Sequence, residues 1–96
     1  MRPSEVLEKN REAIRALVAR HKAANARVFG SVARGEDRED SDLDILIDTL
    51  AETTLFDLGG LQHELESLLG MRVDLATSKE LRPKIRDRIL AEAVVL

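Results

Sequence analysis

Two aspartates, Asp42 and Asp44, stand two positions apart at the end of a run, GSVARGEDREDSDLD from Gly30 to Asp44, that opens on a Gly-Ser pair. In an extended segment successive side chains alternate faces, so both carboxylates project from the same side, roughly 6 to 7 Å apart along the backbone. Two unpaired carboxylates at that separation repel by about 2 to 3 kcal/mol for an effective dielectric near 20. A divalent cation removes the conflict. All-oxygen ligands suit a hard ion such as Mg²⁺, which takes one or two protein carboxylates and completes its shell with water and substrate phosphates. The same run offers a place for those phosphates: Gly30 allows close backbone approach, and Ser31 brings a hydroxyl and an amide to a strand-to-helix turn, where anions are favoured. Arg34, just beyond, can contact a phosphate or pair with Glu36 or Asp37, and both readings stand. Asp74 is a third acid candidate. Asp48 reads as a strand-end acid facing solvent and is left out of the site.

Those residues need elements to hold them. Leu43, Ile45 and Ile47 alternate with Asp42, Asp44, Leu46 and Asp48, the period of a strand with one apolar face and one face of acids around a single leucine. Upstream, Ala26 to Phe29 reads as a short strand feeding Gly30, with Arg27 facing outward. Val32 to Arg34 can form one helical turn before Gly35 stops it, leaving Glu36 to Ser41 as a charged loop, flexible in isolation. Ahead of these, Val6, Leu7, Ile14, Leu17 and Val18 repeat at helical spacing from a Ser4 cap to about Arg20.

Downstream, Thr54 and Asp57 resemble a capping box, and Leu58, Leu61, Leu65, Leu68 and Leu69 carry a helix to Gly70. Gly59 and Gly60 interrupt it at about 1 kcal/mol each relative to Ala, which implies close packing or a frayed first turn. Residues 71–77 read as a strand with Val73 and Leu75 on one face and Asp74 on the other. Ser78 can cap a last helical region in which Pro83 fits an early position and Ile85, Ile89, Leu90, Ala93 and Leu96 form the apolar side. The expected fold is α/β: a small mixed three-stranded sheet flanked by helices, in αβαβαβα order.

Composition narrows the function classes. The chain has 96 residues, 44% of them hydrophobic and 34% charged, and reads as one domain, 1–96, with one core and no separate substrate module. No apolar run reaches membrane-spanning length and no secretory signal opens the sequence, so the expectation is a cytoplasmic protein with no membrane partner. Zero cysteines exclude disulfides and thiolate metal sites. A net charge of −3 and the absence of Trp and Tyr, with only Phe29 and Phe56 able to stack, argue against direct nucleic-acid binding. The basic residues Lys79, Arg82, Lys84, Arg86 and Arg88 read as a solvated helix face. His21 and His63 lack a ligand partner at i+4 and read as surface residues.

The Gly30-Ser31 pair, ten intervening residues, Asp42-x-Asp44 and then Val73-Asp74-Leu75 resemble the minimal nucleotidyltransferases of the DNA polymerase beta-like nucleotidyltransferase superfamily. The resemblance runs from the first helix to the closing Ile-Leu-Ala-Glu-Ala-Val segment, and the Gly-Ser to Asp-x-Asp spacing is its specific part. It implies that Gly30 and Ser31 form the nucleotide-phosphate turn, with Arg34 a secondary contact. It further implies that Asp42 and Asp44 bind metal, with Asp74 as the third carboxylate. The implied reaction transfers AMP from ATP, with one or two Mg²⁺ ions, onto a hydroxyl. Family members are typically paired with a small helical HEPN protein, whose tyrosine they adenylylate to silence a ribonuclease toxin. This chain would then be the antitoxin of a hetero-oligomer. Two alternatives stay open: a binding antitoxin that occludes its partner without transfer, and a small-molecule adenylyltransferase with a helper subunit.

Overall fold

Leucine, isoleucine and valine at strand and helix periods generate one apolar core, and the computed structural model, which describes residues 1–96, places it on one side of a sheet. Helix α1 (Pro3–Arg20) contributes Leu7, Ile14 and Val18, and helix α3 (Leu55–Leu69) contributes Leu61, Leu65 and Leu69. They pack on strands β1 (Ala23–Phe29), β2 (Leu43–Thr49) and β3 (Val73–Thr77). Leu43, Ile45 and Ile47 of β2 are fully buried, which fixes the strand's register, because a slip of one residue would drive Asp44 into the core. Between β1 and β2 lies the short helix α2 (Gly30–Arg34), and after β3 come a 3-10 turn at Ser78–Glu80 and helix α4 (Pro83–Glu92).

The sheet has four strands rather than the three expected. Val94 and Val95 leave the last helix as β4 (Val94–Val95) and pair antiparallel with β1, giving the order β3-β2-β1-β4. Two β-branched residues favour extended backbone, and the pairing covers what would be an open edge of β1. β1 and β2 are antiparallel, whereas β2 and β3 are parallel and joined through α3, so the sheet is mixed as expected. Thr54 and Asp57 form the reciprocal cap at the start of α3, Gly70 closes that helix at φ 65°, and Pro83 occupies the first turn of α4.

Several local expectations are corrected. Arg2, not Ser4, caps α1, and Ser4 instead donates its amide to Asp37 at 2.9 Å. Asp37 is buried, so the charged segment 36–41 is tied to the start of α1 rather than loose. β1 begins at Ala23, three residues earlier than its apolar run, and carries a bulge between Ala24 and Arg27 with Asn25 at φ 55°. His21 is not a surface residue: its side chain is 17% exposed, lies against Gly60 and bonds Glu64 at 2.8 Å. That contact supplies the close-packing reason for Gly60, while Gly59 faces open space.

Arg27 and Asp48 also depart from the outward reading. Asp48 accepts from Arg27 at 2.9 Å, Asn25 at 2.8 Å and Ser78 at 2.6 Å, so Ser78 serves this carboxylate and caps no helix. Arg27 leads in holding the Asp48 carboxyl down to about 2; burial opposes it, and Ser78 and Asn25 assist. The bulge and the 3-10 turn thus converge on one ion pair whose arginine is only 16% exposed. Replacing the acid strands that cation. Asp48→Asn is expected to lower stability by about 1 to 3 kcal/mol, read as an earlier midpoint in equilibrium urea unfolding with an unchanged slope.

Candidate active site

β2 carries its core residues on one face, so Asp44 emerges on the other, and the sheet register places it between Phe29 of β1 and Asp74 of β3. Asp42 lies one residue ahead of the strand. Asp42 and Asp44 are half-buried and Asp74 is exposed. The three carboxyls proposed from sequence are therefore neighbours, with Asp44 at the centre. Burial is the main force that pushes its carboxyl up to about 6, followed by a hydrogen bond with Asp74 and the charges of Asp74 and Asp42; Arg34 acts weakly against them. With acids on both sides and Arg34 opposing them only weakly, Asp44 is short of positive charge.

Gly30 follows β1 directly and turns the chain at φ 70°, a left-handed conformation that disfavours other residues. A Cβ there would lie well inside van der Waals contact with the Asp44 carboxylate, so only glycine lets the turn sit against the acids. α2 follows as a single turn and ends at Gly35, φ 71°, while the Ser31 carbonyl accepts the Glu36 amide at 2.8 Å. Arg34 is 49% exposed and pairs with Glu36 at 2.6 Å and with Glu92 at 3.3 Å. The ion-pair reading of Arg34 thus holds in this state, with Glu36 as the nearer partner. Glu92 also accepts the Gly30 amide at 3.0 Å. Sequence reasoning missed Glu92, which lies 62 positions from Gly30 and carries no local signal.

No trio of His, Cys, Asp or Glu side chains forms a ready-made metal cage. The fit to a cation rests instead on donor chemistry. Three carboxyls are neighbours, the central one is raised by burial and by the acids beside it, and Mg²⁺ needs only one or two protein carboxylates when substrate phosphates complete its shell. The side chains Lys79, Arg82, Lys84 and Arg88 are exposed, in agreement with a solvated basic face. No helix is long and apolar enough to cross a membrane.

The sequence model of the nucleotidyltransferase domain family matches residues 10–96. A Methanocaldococcus jannaschii protein, provisionally named protein adenylyltransferase, is 44% identical over 78 residues, spanning 81% of this chain and 84% of its own length. A solved structure of a provisionally assigned minimal nucleotidyltransferase superposes with a TM-score of 0.89 at 50% identity, covering 97% of this chain and 95% of the other. A chain from the structure of a tri-AMPylated Shewanella oneidensis HEPN toxin in complex with MNT antitoxin shares the fold, with a TM-score of 0.70. Its identity is 19%, and the match covers 92% of this chain and 69% of that one.

The geometry makes two predictions. Gly30→Ala is expected to lower stability by about 1 to 3 kcal/mol, through the left-handed backbone and the contact with Asp44, and to show an earlier urea midpoint. The second concerns pH in the absence of divalent metal. Asp44 binds its proton more tightly folded than unfolded, so its stabilising contribution is full below pH 4 and is lost as pH rises through 6. Asp48 has the opposite sign: its contribution is present above pH 4 and lost as pH falls towards 2. Thermal melts should therefore decline from pH 4.5 to 7, by at most about 3 kcal/mol for Asp44 fully shielded from solvent and less for its half-buried carboxyl. Asp44→Asn should flatten that decline and leave the acid limb in place.

Proposed function

Because this chain belongs to the nucleotidyltransferase domain family, we propose that it transfers AMP from ATP to a hydroxyl of a second protein, a tyrosine of a cognate HEPN toxin, and acts as its antitoxin. One observation carries the reading: the Gly30 turn lies directly against Asp44, which the parallel register sets beside Asp74. A phosphate turn and an acid cluster in that proximity serve one donor. The adenylyltransferase relative and the AMPylated toxin complex support the class of acceptor.

In this reading Gly30 and Ser31 hold the triphosphate, with Arg34 a secondary contact. Asp42, Asp44 and Asp74 would hold Mg²⁺, which supplies charge neutralisation on the triphosphate and its departing oxygens. The acceptor hydroxyl oxygen bonds the α-phosphorus, the bond from that phosphorus to the α,β-bridging oxygen breaks, and pyrophosphate leaves. Asp74, the exposed acid of the three, faces the acceptor and takes the hydroxyl proton. β2 and β3, anchored by fully buried Leu43 and Ile45, keep the acids in place while the acceptor arrives. The chain contains no tyrosine, so a tyrosyl acceptor comes from another molecule.

The test combines the chain, ATP, Mg²⁺ and its HEPN partner and reads the partner's intact mass. The expected outcome is an increase of one or more AMP units on a tyrosine, abolished by EDTA. Asp42→Asn and Asp44→Asn should each slow transfer by about a hundredfold or more, since each removes a charge on which several kcal/mol of transition-state stabilisation depends. A tight complex with no mass increase would sink the enzyme reading in favour of occlusion alone.

A further inference from the structure

The carboxylate of Glu92 meets the groups assigned to the donor. It accepts the Gly30 amide at 3.0 Å, and the Arg34 guanidinium lies 3.3 and 3.4 Å from its two oxygens. An anion from the last turn of α4 therefore stands on a backbone N–H and a cation that the donor's phosphates would share. The Gly30 N–H has one hydrogen and cannot serve Glu92 and a phosphate at full strength together. The Arg34 guanidinium is already held by Glu36 at 2.6 Å, so Glu92 is the looser of its two partners. Nor is Glu92 locked in place. Its side chain is 28% exposed, and α4 has no buried residue to hold that helix down. The segment beyond is anchored separately, through β4 and a bond from the Leu96 amide to the Ala26 carbonyl at 3.1 Å. The side chain can leave the turn while the sheet edge stays paired.

We propose that Glu92 is an internal anion of the donor turn, which the triphosphate displaces from Gly30 and Arg34 on binding and which returns when the turn is vacated. The residue then sets donor affinity by competition: phosphates that carry too little charge to displace it are held weakly. This inference rests on the assignment of Gly30 and Arg34 to the donor. No covalent step is involved, only an exchange of one anion for another.

The test measures binding of α,β-methylene-ATP with Mg²⁺, an analogue whose bond to be cleaved is replaced by carbon, by calorimetry on the full chain. Glu92→Gln keeps the shape and removes the negative charge that strengthens both its hydrogen bonds, and Glu92→Ala removes the bonds altogether. Both variants are expected to bind the analogue about three- to tenfold more tightly than the parent chain. Inorganic tripolyphosphate should show the same ordering, which locates the competition at the phosphates. Equal or weaker binding by both variants overturns the proposal and leaves the donor site standing, with Glu92 a prop for Arg34. Absence of binding by the parent and by both variants removes the donor assignment, and the proposal falls with it.

Discussion

A parallel register that sets Asp44 opposite Asp74 is the constraint from which the rest of this site follows. Two acids on adjacent strands cannot separate without breaking the ladder, and the strand that carries Asp44 is fixed by three fully buried side chains on its other face. Apolar packing thereby holds an electrostatically unfavourable arrangement in place. Gly30 completes it from the neighbouring strand, since any larger residue would press into the same carboxylate. The hydrophobic core is the source of rigidity, and the charge conflict is what it maintains.

Two acids of one strand, on one face and four positions apart, meet opposite fates. Asp48 gathers an arginine, an asparagine and a serine and is held at about 2, whereas Asp44 is pushed up to about 6 by burial first and then by two further acids. Burial raises both, and only Asp48 has donors that overcome it. A bulge in β1 and the 3-10 turn after β3 bring the donors to Asp48, so its stabilisation depends on irregular segments. Asp44 is served only by regular strand pairing and a glycine turn. One carboxylate is held by donors and the other is crowded by acids.

Strand and helix periods in the sequence were sufficient for α1, α3, β2, β3, the Gly-Ser turn and the placing of Asp42 and Asp44 on one face. Each of those features depends on residues close in sequence or on a single alternation. What was not legible depends on distant partners. Arg27 and Asp48 look like solvent-facing charges until the bulge draws them together, and His21 looks unoccupied until Gly60 and Glu64 arrive from α3. β4 hides in the apolar tail of a helix because two valines extend either pattern. Glu92 lies in a helical segment with nothing beside it to mark its contact with Gly30.

The pairing of β4 with β1 also spans a long stretch of sequence. β1 bonds β2 across a short connection, but its other edge is paired by Val94 and Val95, roughly two-thirds of the chain away. Closing so long a loop carries the larger entropic cost, so that edge of the sheet is the more expensive one to pair. The pairing of Asp44 with Asp74 closes a shorter loop than the contact between Glu92 and the glycine turn, so the acids are brought together at the smaller entropic cost. The carboxylate that occupies the Gly30 amide is thus the most distant partner the turn has, and the acids beside it are held without its help.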